Sequence, residues 1–456
     1  MEEPYELCVI GAGTAGFAAA ETARAQGRRV ALVTEPGDLG GTCILRGCMP
    51  AKTLLDSTER LGKVQKSEDL DVESSSVHVD VRAIVARKRE LVDYFAEDRV
   101  ADIQTYPLLR GRARFVARDA IMVDGKRLHA QRFIIATGSR LDASHMPCLT
   151  MGAYLSVDDA LELSDIPASL AVLGGGPVGC EFSQYFARLG TQVTLLQDDD
   201  ELLRNEDGDV GAAVRAALEH DGVTVRCGAS VSACESTDGG RRITYAINGE
   251  SHELAVAAAM LTSGRVPNTV GLDLEKAGIA TSEGGAIVVD ATLRTDNPNI
   301  YAAGDVLGRR FLVHAAAYGG KLAARNAFAA TRVAADFDRY EAHALYTQPQ
   351  VAVAGLTEKM CRARGLEVSV RRHPFGDVGK AVLSRAEEGF VKMLVGPADR
   401  IVGIVLVGED AIDLAGEAIA LVDRGATAND VVEMPHLHPT MSEIFARVAE
   451  DFAAFA

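Results

Sequence analysis

The sequence predicts an α/β protein with two dinucleotide-binding units and a separate C-terminal α+β domain. Three observations predict it. A glycine-rich turn joins an apolar run to an Ala-rich helical stretch near the N-terminus. A second such turn follows about 163 residues later. From about residue 340 the pattern changes to short strands followed by a helix. A chain of 456 residues is long enough for about three domains.

The first unit reads "YELCVIGAGTAGFAAAETARAQGRRVALVTE". An apolar run, Leu7 to Ile10, meets Gly11-x-Gly13-x-x-Gly16; a helical stretch, the apolar run Val30 to Val33 and then Glu35 follow. The glycines permit a tight turn and a close approach of backbone to a pyrophosphate, and the helix N-terminus offers free N–H groups and a positive dipole end. Glu35 lies 19 residues beyond Gly16, a spacing suited to a ribose hydroxyl. Between the units, Val81, Ile84, Val85, Leu91, Val92 and Phe95 fall at helical spacing, with Arg82, Arg87, Lys88, Arg89 and Glu90 mostly opposite, which predicts an amphipathic helix. The strand-like "RFIIATGSR" and the turn-rich "LDASHMPCLTMGAYLS" close this segment.

The second unit, "SLAVLGGGPVGCEFSQYFARLGTQVTLLQ", repeats the pattern with Gly174-x-Gly176-x-x-Gly179. Two Rossmann-like units imply two dinucleotides, and the simplest pair is a flavin and a nicotinamide, between which a hydride passes. "GRVPN" marks the exit from this unit. "TDNPNIYAAGDVLG" reads as a turn, a short strand and Gly304-Asp305 at the strand end. The strands "QVAVAGLT", "GFVKMLV" and "IVGIVLVG" and the helix-like "DAIDLAGEAIALVDRG" make the last domain. The expected segments are 1–145, 146–272, 273–337 and 338–456, the last being the C-terminal domain.

Composition excludes other classes. Apolar residues make up 48% of the chain. No apolar run reaches the roughly 18 residues of a membrane span. The start, "MEEPYELCVIGAG", is acidic where a signal peptide is basic, which points to the cytoplasm. A net charge of −17 argues against nonspecific nucleic-acid binding. Eight cysteines are too few for a disulfide scaffold. In a reducing compartment the close pair Cys43 and Cys48, in "GGTCILRGCMPAK", is open to three readings: metal clamp, structural staple or redox pair.

That segment resembles the redox motif of the pyridine nucleotide–disulfide oxidoreductases of the dihydrolipoamide dehydrogenase and glutathione reductase type. So do Ala136-Thr137-Gly138, Gly264-Arg265, Ala303-Gly304-Asp305, "YTQPQVAVAGLTE" and "HLHPTMSE". The resemblance spans nearly the whole chain. It implies a split FAD domain, an inserted NAD(P) domain and a C-terminal dimerisation domain, hence a homodimer. It implies that Cys43 and Cys48 form a redox-active disulfide, with Cys48 facing the flavin and Cys43 exchanging with substrate. The residues suit that chemistry: exchange needs an attacking thiolate and a nearby resolving thiol, and a helix starting beside the pair lowers a thiol's pKa. A metal clamp lacks a second close cysteine pair.

His438 and Glu443 resemble the family's proton-transfer pair, which reaches the disulfide from the other subunit. An imidazole near neutral pKa moves the proton, and the carboxylate fixes its tautomer. His436 reads as structural. The resemblance further implies a Lys52–Glu181 ion pair beside the flavin, Asp305 on the ribityl chain, and the helix around Ala315 aimed at the flavin ring. It also implies cofactor contacts from Gly41, Thr42, Ala136, Thr137, Gly138, Gly264 and Arg265, beside those of Gly11, Gly13, Gly16, Glu35, Gly174, Gly176 and Gly179.

Some positions depart from the pattern. Gln197 stands where NAD-preferring members carry an acid, followed by Asp198-Asp199-Asp200-Glu201, with Arg204 the one nearby arginine. Acids repel a 2′-phosphate, so NADH is favoured over NADPH. Pro177 replaces an aromatic gate of some members, and Ala51 a usual serine. Residues 62–80 match no particular substrate channel. The implied activity is NADH-dependent reduction of a small disulfide or a lipoyl carrier, or the reverse. An alternative enzyme reading is a metal-ion reductase of the mercuric reductase type, which the stretch 311–325 and "RGRARF" resemble. That type carries a C-terminal cysteine pair, whereas no cysteine follows Cys361 here, and it lacks the His438–Glu443 pair. A non-enzymatic flavin sensor is the remaining alternative, but it has no reason to keep Cys43, Cys48, Lys52 and His438 together. No metal site is expected.

Overall fold

The computed structural model describes residues 5–37, 39–73, 76–143, 146, 154–309 and 311–453. Cys148 and most of the join before the second unit lie outside them. The chain forms two compact units, one of Met1–Thr53, Ala86–His145 and Gly264–Phe337, the other of Leu54–Val85, Met146–Ser263 and Asp338–Ala456.

The first unit is built on a sheet whose path runs Leu108–Arg110, Val30–Thr34, Tyr5–Ile10, Lys126–Ile135, Ala120–Val123, Ala113–Ala117. Its central strands are near-continuous apolar runs because both faces are covered. Leu7, Cys8, Val9, Leu32, Phe133 and Ile134 are all buried. The strand Lys126–Ile135 does two jobs. Its first half pairs antiparallel with Ala120–Val123. Its second half is flanked in parallel by Tyr5–Ile10, with Ile10 opposite Ile135, and by Ile300–Ala302, with Phe133 opposite Ile300. The helix Thr14–Ala25 packs on the helix Val313–Phe328. They approach so closely that a Cβ on Gly320 would stand 2.1 Å from the Ala15 carbonyl oxygen.

The predicted amphipathic helix spans Val81–Gln104, but its faces differ from the expectation. Lys88 is buried at 2% exposure and Phe95 is 37% exposed. Lys88 lies three and four residues beyond Val85 and Ile84, so it shares their stripe rather than the polar one.

In the second unit, Thr224–Arg226, Gln192–Leu196, Ser169–Leu173 and Ala258–Leu261 form a parallel sheet. An antiparallel sheet of Ser230–Thr237, Gly240–Ile247 and Glu250–Val256 follows in the chain. Residues beyond 340 form a five-stranded antiparallel sheet in the order Ala342–Leu345, Gln350–Gly355, Ile401–Gly408, Phe390–Val395, Ser369–Pro374. The helices Ala411–Arg424 and Glu443–Ala453 cover it.

Within this unit a buried cation ties the last sheet to the nucleotide-type fold. Lys392, 2% exposed, has its Nζ 2.7 Å from Asp207, 2.9 Å from Asp209 and 2.8 Å from Glu358. Asp207 also accepts the N–H groups of Glu358 at 3.2 Å and Lys359 at 2.9 Å. These are first-turn N–H groups of the helix Glu358–Ala363, which have no partner within their own helix. Burial opposes ionisation of Asp207, but Lys392 and these N–H groups hold its pKa below the usual carboxylate range. Among the described residues, no helix is long and apolar enough to cross a membrane.

Candidate functional site

The first glycine turn closes on itself. Gly11 has φ +106°, and a Cβ there would meet the Ala136 carbonyl oxygen at 2.2 Å. A Cβ on Gly16 would meet the Gly11 carbonyl oxygen at 1.8 Å. The segment around Gly41 lies against the turn, since a Cβ on Gly41 would come within 2.5 Å of Gly13 Cα. The helix Thr14–Ala25 therefore begins at a tightly closed glycine turn, with its first N–H groups at the turn. Glu35 follows the strand Val30–Thr34, exposed, 3.6 Å from Arg112.

Across the strand ends, the segments of Ala136–Gly138 and Gly264–Arg265 meet. Leu141 pairs with Arg265 and Ser139 with Pro267. Thr137 donates its hydroxyl to the Asn268 carbonyl at 2.7 Å. Ser139 donates to Asp305 at 2.6 Å, while Arg265 donates to the Ser139 hydroxyl at 2.9 and 3.0 Å. Ser139 thus holds Asp305 in place, a link that the separation of 166 residues hid from sequence reasoning. Gly304, at φ +80°, puts Asp305 just past the strand Ile300–Ala302. Ala315 lies in the first turn of the helix Val313–Phe328. Thr42 is exposed and opens the short helix Thr42–Leu45.

Cys43 sits in that short helix, and Cys48 is the first residue of the helix Cys48–Gln65. Both are partly buried and unbridged. Their thiols hydrogen bond, with Cys43 as donor. That bond, with burial second, pushes the Cys43 thiol up. The same bond brings Cys48 down to about 7 against burial, helped by the charge of Lys52 one helical turn on, while Asp305 opposes it. Cys48 is thus the more acidic thiol of the reduced pair. The charge of Arg99 works the other way on Cys43, lowering it; its guanidinium stands 4.0 Å over the Phe17 ring. Nothing in the local sequence marked Arg99. We expect the reduced protein to develop one thiolate as pH rises through about 7, read by ultraviolet thiolate absorbance. In Lys52→Met that midpoint moves upward, because a stabilising positive charge is gone. An unmoved midpoint would remove Lys52 from this role.

In the second unit the motif repeats. A Cβ on Gly179 would stand 1.9 Å from the Gly174 carbonyl oxygen. Gly176 caps the helix Pro177–Arg188. Gln197 is buried and turned inward, its side-chain oxygen accepting the Gly175 N–H at 2.7 Å. Beyond it, Arg204 is paired with Asp199 at 3.3 Å, and Glu201 with Lys359 at 2.9 Å. Glu181 is buried, and its carboxylate accepts the Tyr346 N–H at 2.9 Å.

His438 lies in the loop before the helix Glu443–Ala453. Its Nδ1 is 3.0 Å from Glu443 Oε1, and Glu443 Oε2 accepts the Thr440 N–H at 3.0 Å. These two bonds, His438 first, hold the Glu443 carboxyl below its usual range. A carboxylate at Nδ1 keeps the proton there and leaves Nε2 as the base, on a side chain that is 77% exposed. Cys8 and Cys180 are fully buried, and burial pushes both thiols up, so neither is a ready nucleophile. Among the described residues, no group of three His, Cys, Asp or Glu side chains is placed to hold a metal.

Comparison with known proteins gives a consistent picture. Residues 5–320 match the family model described as pyridine nucleotide-disulphide oxidoreductase, and residues 342–449 match that family's dimerisation domain. The chain is 36% identical over 456 residues to a dihydrolipoyl dehydrogenase of Thermus scotoductus, covering 98% of this chain and 97% of that one. It is 32% identical over 444 residues to a mercuric reductase of Staphylococcus aureus, covering 96% and 81%. Among solved structures it superposes on the HOCl-induced flavoprotein disulfide reductase RclA of Escherichia coli, in its Cu(II) complex. The TM-score is 0.86 and the identity 27%, with 98% of this chain and 99% of that one covered.

Proposed function

Because the chain belongs to the pyridine nucleotide-disulphide oxidoreductase family, we propose that it is an NADH-dependent disulfide reductase of the dihydrolipoamide dehydrogenase kind, working in either direction. The family is FAD-dependent and uses NAD(P), and its dimerisation domain indicates a homodimer. The observation that carries the reading is the free, interacting pair of Cys43 and Cys48 at a helix start.

The chain's own residues take these parts. The cradle at Gly11, Gly13, Gly16 and Gly41 holds the FAD pyrophosphate, with Thr42 beside it and Glu35 on the ribose. Asp305, fixed by Ser139, takes the ribityl chain. Ala136, Thr137, Gly138, Gly264, Arg265 and Ala315 line the remainder, and the family resemblance assigns Lys52 and Glu181 to the flavin's charge environment. Gly174, Gly176 and Gly179 hold the nicotinamide dinucleotide. Bound FAD supplies the two-electron relay between nicotinamide and disulfide. Cys43, as thiolate, attacks a substrate disulfide; one sulfur leaves as a thiol and a mixed disulfide remains. Cys48 then attacks Cys43, the second sulfur leaves as a thiolate that takes a proton from solvent, and the internal disulfide re-forms. His438 of the partner subunit, with Glu443 behind it, takes the Cys43 proton and returns it to the leaving sulfur. In this division 1–145 and 273–337 serve FAD, 146–272 the nicotinamide and 338–456 the dimer. A cytoplasmic location suits a pair that must cycle through its dithiol form.

NADH is the proposed donor. Three aspartates and Glu201 follow Gln197, and the pairing of Arg204 with Asp199 takes up the arginine that would meet a 2′-phosphate. The expected result is a higher kcat/KM for NADH than for NADPH; the opposite order would remove this preference. The test is steady-state turnover of the flavin-loaded protein with lipoamide and each nicotinamide. Fast NADH-dependent lipoamide reduction supports the reading. Rapid flavin reduction without lipoamide turnover sinks the lipoamide assignment, and mercuric and cupric ions are then the next acceptors to assay.

A further inference from the structure

We infer that His436, two residues before His438, is a positioning residue that fixes where the His438 imidazole stands. This rests on the reading of His438 as the proton carrier. Residues 434–442 join the helices Ala428–Glu433 and Glu443–Ala453 without a helix or strand of their own, so side chains must set their path. At one end, Thr440 donates its hydroxyl to the Leu437 carbonyl at 2.7 Å and its N–H to Glu443 at 3.0 Å. At the other end stands His436.

Its ring is buried where that of its neighbour is not: the His436 side chain is 7% exposed and that of His438 is 77% exposed. Nδ1 of His436 is 3.1 Å from the Met434 carbonyl oxygen, and Nε2 is 2.9 Å from Glu417 Oε1. A carbonyl and a carboxylate only accept, and a bond to the charged Glu417 carboxylate belongs to the stronger class of hydrogen bond. Glu417 belongs to the helix Ala411–Arg424, which packs on the five-stranded sheet. The loop is therefore nailed to the domain's rigid layer just before His438.

Glu443 alone does not do this. One bond at Nδ1 sets the tautomer but lets the ring pivot about the carboxylate. The Leu437 side chain, 80% exposed, adds no buried anchor of its own. A shift of about 1 Å at a proton-transfer group costs on the order of 10²-fold in rate.

The test uses the FAD-loaded protein with lipoamide and NADH. His436→Phe keeps a flat ring but no donors. It should lower kcat for lipoamide by roughly 10- to 100-fold, with KM for NADH and anaerobic flavin reduction by NADH unchanged. His436→Gln, whose amide still donates toward Glu417, should recover most of the loss. Glu417→Ala should resemble His436→Phe, and it replaces that variant if the phenylalanine protein does not fold. Combined with His438→Ala, His436→Phe should add no further loss, because it acts only through that ring. Wild-type turnover in both His436→Phe and Glu417→Ala, or a loss that multiplies with that of His438→Ala, overturns the inference. Unchanged turnover in His438→Ala itself overturns the parent reading instead, and this inference with it.

Discussion

Replacing Cys43 with serine is expected to abolish disulfide turnover while leaving reduction of the bound flavin by NADH intact. A serine hydroxyl does not ionise near neutral pH and forms no bond to a disulfide sulfur, so exchange has no nucleophile. We expect a loss of at least about 10³-fold, the scale on which removing a nucleophile acts. The electron donor's side of the cycle does not need Cys43. A serine hydroxyl still donates to Cys48, so Cys48 keeps part of the hydrogen bond that brings its pKa to about 7. The measurement is a pair of assays, steady-state lipoamide turnover and anaerobic flavin bleaching by NADH. Loss of both would mean that Cys43 is not the exchanging thiol.

Lys392→Met should cost the second unit about 3–5 kcal/mol, the usual result of leaving buried charge without its partner. Methionine fills the space of the stem but leaves Asp207, Asp209 and Glu358 facing one another where an ammonium stood within 2.9 Å of each. The sign with pH is informative. In the native protein the Asp207 pKa is lowered and the Lys392 pKa raised. The Asp207 contribution is present above the ordinary carboxylate pKa and lost as pH falls through its depressed value. The Lys392 contribution is full below the ordinary lysine pKa and lost as pH rises through its elevated one. The native clamp is therefore at full strength across neutral pH. In the variant the carboxylates repel, their pKa values climb, and mild acid should raise the melting temperature relative to neutral pH. Thermal unfolding of both proteins at pH 7 and pH 5 reads this; an equal response to acid in both would refute the clamp.

What was legible in the sequence shares one property: each signal lies within a few residues of chain. The turns Gly11-x-Gly13-x-x-Gly16 and Gly174-x-Gly176-x-x-Gly179 announce themselves because close backbone approach at Gly11, Gly16 and Gly179 permits no other residue there. Cys43 and Cys48 are a short step apart, as are His438 and Glu443. The stripe on Val81–Gln104 was misjudged at Lys88 because charge, rather than helical position, was used to assign its face. The Lys392 cluster was invisible because its partners Asp207, Asp209 and Glu358 lie 34 or more residues away in the chain. In the sequence Gln197 stands simply where NAD-preferring members carry an acid. Its inward turn onto the Gly175 N–H follows from packing around a buried strand end, which a linear pattern does not carry. His436 looked merely structural because Glu417 stands on a different helix.

The double duty of the strand Lys126–Ile135 bears on how the protein is made. Its second half gains its outer neighbour, Ile300–Ala302, only after 164 further residues have been synthesised. At about 5–20 residues per second that is a wait of roughly 8–33 s on the ribosome. Throughout it, Phe133, Ile134 and Ile135 present an apolar strand edge with nothing alongside, the template that misassembly uses. The helix Val313–Phe328, which closes over Thr14–Ala25, emerges later still. Completion of this sheet is thus a late event in biosynthesis, and its apolar edge stays open until residue 300 and beyond have emerged.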